Sequence, residues 1–134
     1  DHRDLHSFPT RRSSDLRLHN KLSIGVGGHM NEVPGEKDFN KILNKNLLRE
    51  IEEELIIDNK KFKVTPIGLI NDDENEVGRV HIGILVAIEV PEGTDVQVRE
   101  TEELKGQFLQ VEKLKLRQFY ERLENWSKIA IDIL

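Results

Sequence analysis

Three glutamates in a short run are the residues best suited to chemistry in this chain. Residues 49–54 read Arg-Glu-Ile-Glu-Glu-Glu, and at about 100° per residue Glu50, Glu53 and Glu54 share one face of a helix. Like charges at these spacings are unfavourable by roughly 0.2–0.5 kcal/mol per exposed pair. A divalent cation removes that cost, because Mg²⁺ and Mn²⁺ prefer carboxylate oxygens as ligands. The run therefore predicts a metal site, and the alternative is a solvated, Glu-rich helix face.

An amphipathic helix must carry this run. Asp38 is a suitable N-cap, and the apolar spacing after it predicts a helix over residues 38–57 that ends near Asp58-Asn59. The apolar positions are Ile42, Leu43, Leu47, Leu48, Ile51 and Leu55. Upstream, residues 21–26 are β-prone and run into a glycine-rich loop at residues 25–28, where a ligand can approach the backbone closely. The pattern predicts strand, loop, then helix.

The chain beyond this helix alternates between β-prone and helical segments. Phe62–Ile70 and Val77–Val90 flank an acidic turn and predict a hairpin. Residues 91–105 read as a polar loop, residues 107–110 as a short strand, and residues from Leu114 onward as one or two helices. The predicted core face of the second strand is formed by Val80, Ile82, Ile84, Val86, Ile88 and Val90, and the predicted core residues of the last segment are Leu116, Phe119, Tyr120, Leu123, Trp126, Ala130 and Ile133.

Several polar residues have two interpretations. Arg79 and His81 share a strand face with Gly83, where they either line a cleft or are exposed polar positions. His29, next to Gly28, either contacts phosphate or is satisfied by backbone. The aromatic residues of the last segment are expected in the core rather than as platforms for bases.

Composition excludes several classes of protein. The chain has 134 residues, a net charge of −5 and no cysteine. It is the size of one domain, lacks an apolar run of membrane-spanning length, and has no basic patch to bind a nucleic acid duplex. Without cysteine there is no disulfide framework or thiolate nucleophile, which fits a cytoplasmic location. No membrane partner is expected, and the oligomeric state is open.

Residues 1–16 are expected to be foreign to the domain. They show neither strand alternation nor a helical stripe, and in one reading frame they resemble a translated sequencing-library adapter from end to end. The alternative is an ordinary polar tail. We therefore expect residues 1–16 to contribute nothing to the fold, and residues 17–134 to form one domain that is truncated at its N-terminus.

The residues around the glutamates resemble the Nudix hydrolase family. The family's box is G-x5-E-x7-R-E-U-x-E-E-x-G-U, with U a bulky aliphatic residue, and its R-E-U-x-E-E core matches residues 49–54 fully. Gly28 and Glu36 match the earlier positions with longer spacings, and Ile56 replaces the box glycine, which puts the end of the helix in doubt. The enlarged loop resembles a subgroup described only as predicted phosphoesterases.

The resemblance implies a fold, a reaction and residue roles. The fold would be α/β, a Nudix-like α/β/α sandwich with a central mixed sheet. The reaction would be hydrolysis of a pyrophosphate bond in a nucleoside diphosphate-linked or related phosphorylated small molecule, with Mg²⁺ or Mn²⁺ as cofactor. Glu53 and Glu54 would be the principal metal ligands, Glu50 a further ligand or base, and the Gly28 carbonyl a completing ligand, while Arg49 would orient a glutamate. A later loop would supply the base, for which Glu102 is the first candidate and Glu103 the second, unless both belong to a solvated acidic loop.

Two other classes of function remain open from the sequence. One is a Nudix-fold module that binds a nucleotide or regulates without cleaving it. The other is a helical interaction domain with an acidic face and no metal, which the glycine loop and the β-rich hairpin disfavour.

Overall fold

The computed structural model describes residues 5–7, 10–11, 21–25, 27–99 and 104–134, and it confirms the α/β class. The helices are α1 (Phe39–Glu54), α2 (Glu76–Arg79), α3 (Val111–Leu114), α4 (Arg117–Tyr120) and α5 (Asn125–Ile133). The strands are β1 (Leu5–Ser7), β2 (Thr10–Arg11), β3 (Leu55–Ile57), β4 (Lys63–Ile70), β5 (Gly83–Glu89), β6 (Val96–Val98), β7 (Leu104–Lys105) and β8 (Phe108–Gln110).

The described strands pair two by two, and every pair is antiparallel. The pairs are β1 with β8, β2 with β7, β3 with β6, and β4 with β5. Parallel pairing is limited, in the described ranges, to a bridge between Leu22 and Leu123. The predicted strand at residues 21–26 is thus reduced, in its described part, to this bridge.

Helix α1 begins where the sequence predicts and ends earlier. The Asp38 side chain accepts hydrogen bonds from the Asn40 and Lys41 amides at 2.9 and 3.3 Å, as an N-cap does. The predicted end at Asp58-Asn59 is wrong, since α1 stops at Glu54 and Leu55 opens β3 directly. The partner of β3 is β6, which lies inside the segment predicted to be a polar loop.

The predicted hairpin forms between β4 and β5, but its second strand starts later than expected. Residues 76–79 form α2, because the Asn75 side chain accepts from the Gly78 amide at 2.7 Å and caps a helical turn in a β-prone sequence. The prediction that Val80 and Ile82 belong to the core is therefore wrong, and their exposed fractions are 78% and 73%. The same prediction is wrong for Val90, which follows the end of β5 and is 38% exposed. Strand β5 starts only at Gly83.

The C-terminal part of the chain forms the main core. Its fully buried side chains are Leu114, Leu123 and Ile131, and Phe119 and Tyr120 pack against them, which confirms their core assignment. Trp126 is half-buried with its ring against Gly83 in β5. Helices α4 and α5 lie in the segment from Leu114 onward, which confirms the prediction of one or two helices there. Leu116 and Ile133 lie exposed, outside the core predicted for them.

This core also fixes the start of the glycine-rich loop. Leu22 N donates to Arg122 O at 2.8 Å, Glu124 N donates to Leu22 O at 2.9 Å, and Ile24 N donates to the Ser127 hydroxyl at 2.9 Å. Gly25 follows with φ +64°, a conformation that favours glycine. The loop therefore leaves the core from a fixed point and in a fixed direction.

Two pieces of the adapter-like segment pair with the domain. Leu5–Ser7 aligns with Phe108–Gln110, and Thr10–Arg11 aligns with Leu104–Lys105. This pairing differs from the expectation that residues 1–16 contribute nothing to the fold. Backbone hydrogen bonding at a strand edge depends little on side-chain identity, so an extended segment of any origin can form it. No helix among the described residues is long and apolar enough to cross a membrane.

Candidate active site

The glycine-rich loop runs antiparallel to helix α1 and is fastened to it at three successive points. The Asn46 side chain forms hydrogen bonds with the Asn31 backbone, and the Arg49 guanidinium donates to the His29 carbonyl. Gly28 lies against the Glu50 carboxylate. The three helix residues are spaced i, i+3 and i+4, so they lie on one face. The loop therefore lies along the carboxylate-bearing end of α1.

Arg49 connects the loop to the first glutamate. Its Nη2 donates to His29 O at 2.8 Å and to Glu50 Oε1 at 2.8 Å. The Arg49 and Glu50 side chains are 33% and 18% exposed, so this ion pair is partly shielded from water. One guanidinium nitrogen thus contacts both the loop backbone and a carboxylate.

Gly28 is the point of closest approach between loop and helix. A Cβ atom at residue 28 would overlap both carboxylate oxygens of Glu50, whereas a Cβ at Gly27 would meet nothing within 4 Å. A side chain at residue 28 would therefore displace the Glu50 carboxylate from its position beside the loop.

The three glutamates share one end of α1 but do not form a ready-made cluster. Glu50 is held by Arg49, Glu53 is exposed and Glu54 is half-buried. Among the described residues, no group of three acidic or histidine side chains is arranged to hold a metal ion as it stands. The donor chemistry nevertheless fits Mg²⁺ or Mn²⁺, since three carboxylates and a loop backbone meet at the same end of the helix.

Two histidines from separate segments meet beside this loop. The His29 and His81 rings have centroids 5.8 Å apart and an interplanar angle of 50°. His81 Nδ1 lies 2.7 Å from Val77 O, so Nδ1 carries the proton that the carbonyl accepts. The structure therefore brings His29 and His81 together, although His81 does not reach this place from a strand.

Arg79 and Glu36 do not join the glutamates. Arg79 ends α2, and its Nε donates to Asp73 O at 3.1 Å, so the prediction that it shares a strand face with His81 is wrong. Glu36 accepts from the Asp38 amide at 3.2 Å, at the N-terminal end of α1, about 20 Å from Glu50 by helix rise. Glu102 and Glu103 lie outside the described residues.

Helix α1 ends without the left-handed residue that the sequence pattern suggested. Leu55 is extended, with φ −124° and ψ 151°. Arg99, just after β6, donates from N to Glu54 O at 2.8 Å and from Nε to Glu52 O at 2.9 Å. Ile56 is thus tolerated in place of the box glycine, because a neighbouring strand satisfies the helix carbonyls.

Comparison with known proteins places this arrangement in a known fold. The chain is 30% identical to Tm1382, provisionally assigned as a Nudix hydrolase, and the two structures superpose with a TM-score of 0.64 over 83% of this chain and 57% of that one. The fold is Nudix-like. The chain is also 50% identical over 121 residues to the Bacillus subtilis protein YmaB, covering 90% of this chain and 59% of YmaB. It thus spans less than two thirds of either relative. No protein-family model matches it.

The Nudix-like fold fits the loop-to-helix order at the glutamates but does not explain every contact in the site. Sequence reasoning missed Asn46 and Arg99. Asn46 carried a signal, because a polar residue three positions after buried Leu43 interrupts the apolar stripe of α1. No signal in the sequence pointed to Arg99, because its contacts with the end of α1 depend on the pairing of β3 with β6.

Proposed function

We propose that this chain belongs to the Nudix family and hydrolyses a pyrophosphate bond in a nucleoside diphosphate-linked or related phosphorylated small molecule, with Mg²⁺ or Mn²⁺ as cofactor. The observation that carries the proposal is the contact of Gly28 with Glu50 at the end of α1 that also bears Glu53 and Glu54, on a Nudix-like fold. A cytoplasmic location and a small-molecule partner belong to the same proposal.

Each residue has a role in this proposal. Glu53 and Glu54 hold the cation, with Glu50 as a further ligand or base and the Gly28 carbonyl as a completing ligand. Arg49 orients Glu50 through their 2.8 Å hydrogen bond. His29 and His81 contact substrate phosphate from beside the loop, and Glu102 is the proposed general base.

A pyrophosphate is strongly anionic, and the acidic face of α1 would repel it. A divalent cation held by Glu53 and Glu54 would neutralise phosphate oxygens and would lower the pKa of the attacking water. Arg49 keeps the Glu50 carboxylate beside Gly28, which has no side chain to displace it. A base within hydrogen-bonding reach of the water then accepts its proton.

A screen for phosphate release tests the proposal. The full chain should release phosphate from at least one nucleoside diphosphate derivative when Mg²⁺ or Mn²⁺ is added, and chelation should stop it. Glu53→Gln should lower that rate by at least about 100-fold. Loss of a residue that only hydrogen-bonds to a metal ligand already lowers metal affinity or activity about 10–100-fold, and loss of a ligand should cost more. Glu52→Gln is the matched control, since Glu52 lies on the opposite face of the helix and is exposed.

Two results would contradict the proposal. One is hydrolysis by Glu53→Gln at the normal rate with normal metal dependence. The other is nucleotide binding by the wild-type chain without turnover under any divalent cation. The second result would favour a non-catalytic Nudix-fold binding module, an alternative supported by the fact that Glu50 already has Arg49 as its ion-pair partner.

A further inference from the structure

We infer that Asn46 is a positioning residue for the proposed cation site. Its side chain is 5% exposed and accepts from Asn31 N at 2.8 Å. Its Nδ2 donates to Asn31 O at 3.0 Å and to Ile42 O at 2.8 Å. The amide therefore pairs with the loop backbone at Asn31 as a neighbouring strand would, and its remaining donor is satisfied within the helix.

Asn46 is the best shielded of the three attachments between loop and helix. Arg49 and Glu50 are 33% and 18% exposed, so water competes with their contacts. The Asn46 side chain is buried, whereas Asn31 in the loop is exposed and the bonds between the two residues are partly buried. Loss of these bonds would leave the buried amide of Asn46 without its loop partners, which costs more free energy than loss of a solvated contact. A shift of the loop along α1 would break both bonds at Asn31 together. Asn46 therefore sets the register of loop and helix.

This register has a consequence for the carboxylates. Asn46 holds residues 28–31 of the loop at Asn31 through hydrogen bonds, and Gly28 at the other end of this stretch lies against Glu50. The loop between Gly28 and Glu36 is two residues longer than the family pattern, so ordering it costs slightly more entropy, which the bonds between Asn46 and Asn31 offset. Because the inference rests on the proposed function, its expected effect is on cation affinity.

Asn46→Ala and Asn31→Ala form a matched pair of variants. Asn46→Ala removes both bonds to the loop, whereas Asn31→Ala leaves them intact, because the loop contributes only the backbone atoms of Asn31. For Asn46→Ala we expect hydrogen exchange at the Asn31 amide to be about tenfold faster. The Kd for Mn²⁺, measured by water proton relaxation, should rise about 10-fold or more. Asn31→Ala should match the wild type in both.

The role as a positioning residue predicts a specific kinetic pattern. In Asn46→Ala the rate at saturating Mn²⁺ should recover most of its wild-type value, because the carboxylates themselves are intact. Amide protection at Leu114 and Leu123, which are fully buried, serves as the check on folding. If Asn46→Ala does not fold, the same measurements are made on Asn46→Ser, which keeps a small polar side chain at this position.

The outcomes separate this inference from the proposed function. If the wild type binds Mn²⁺ and turns over substrate, and Asn46→Ala has faster exchange at Asn31 with an unchanged Kd for Mn²⁺, the inference is overturned and the proposed function stands. Unchanged exchange at Asn31 also overturns it. If the wild type neither binds Mn²⁺ nor hydrolyses any substrate, the proposed function fails first, and the inference fails with it.

Discussion

Gly28 lies against the Glu50 carboxylate: a Cβ at residue 28 would overlap both carboxylate oxygens. The clash would involve only the flexible end of a side chain, so Glu50 can rotate away without moving the helix. A side chain at residue 28 is therefore compatible with folding, but it displaces a proposed ligand.

Gly28→Ala should separate activity from stability. We expect kcat/KM for metal-dependent hydrolysis to fall about 10-fold or more, with a thermal unfolding midpoint within about 4 °C of the wild type. Gly27→Ala is the control, because its added Cβ would meet nothing within 4 Å. Equal activity of the two variants would show that displacing Glu50 has no effect on the reaction.

The sequence predicted the carboxylate face of α1 because helical periodicity and capping are local. Asp38 caps the helix as expected, and the spacing of Glu50, Glu53 and Glu54 follows from 3.6 residues per turn. The end of the helix was not predictable. It depends on Arg99, which reaches the Glu52 carbonyl across 47 residues of sequence.

The β-rich region shows where local patterns mislead. Alternation predicted one strand from Val77 to Val90, but the side chain of Asn75 stabilises a helical turn at its start. His81 was predicted near the cleft on the wrong element. Its ring lies 5.8 Å from His29 because the α2 turn, rather than a strand, delivers it. The register of loop and helix through Asn46 needed the three-dimensional structure.

Arg99→Ala should destabilise the junction of α1 and β3. The substitution removes the 2.9 Å bond from Nε to Glu52 O and a positive charge at the C-terminal end of a helix. We expect a loss of about 0.5–1.5 kcal/mol in the free energy of unfolding, measured by urea denaturation.

Arg117→Ala is the control for Arg99→Ala. Arg117 forms an i,i+4 ion pair with Glu121 at 2.8 Å, but these side chains are 88% and 62% exposed. An exposed pair of this kind contributes about 0.5 kcal/mol or less. An equal loss in the free energy of unfolding in the two variants would mean that Arg99 acts only as a surface charge.

Tyr120 should titrate above the usual range for a phenol. Its hydroxyl donates to Asp132 at 2.9 and 3.1 Å, and this hydrogen bond, with smaller effects of desolvation and of the carboxylate charge, raises the pKa of Tyr120. A raised pKa in the folded state means that the contact stabilises the fold below the ordinary tyrosine pKa. That stabilisation is lost as the pH rises through the raised value.

The alkaline titration of phenolate absorbance measures this directly, because the chain has one tyrosine. The midpoint of the folded protein should lie above that of the unfolded protein. In Asp132→Asn the hydroxyl loses its anionic acceptor, and the midpoint should move back toward the ordinary value. An unchanged midpoint in Asp132→Asn would show that Asp132 does not cause the shift.

Removal of residues 1–16 tests whether this segment belongs to the domain. Its described contacts are backbone pairings of three and two residues, with β8 and β7. Ordering each residue costs about 1–2 kcal/mol of backbone entropy, so two such short backbone pairings add little net stability. We expect a chain beginning at Arg17 to unfold within about 4 °C of the full chain, the shift that 1 kcal/mol causes in a domain of this size. A chain with residues 1–16 in shuffled order should behave in the same way.

A fall of more than about 8 °C in the unfolding midpoint on deletion, together with a similar fall on shuffling, would show that the side chains of this segment pack specifically and that it is part of the protein.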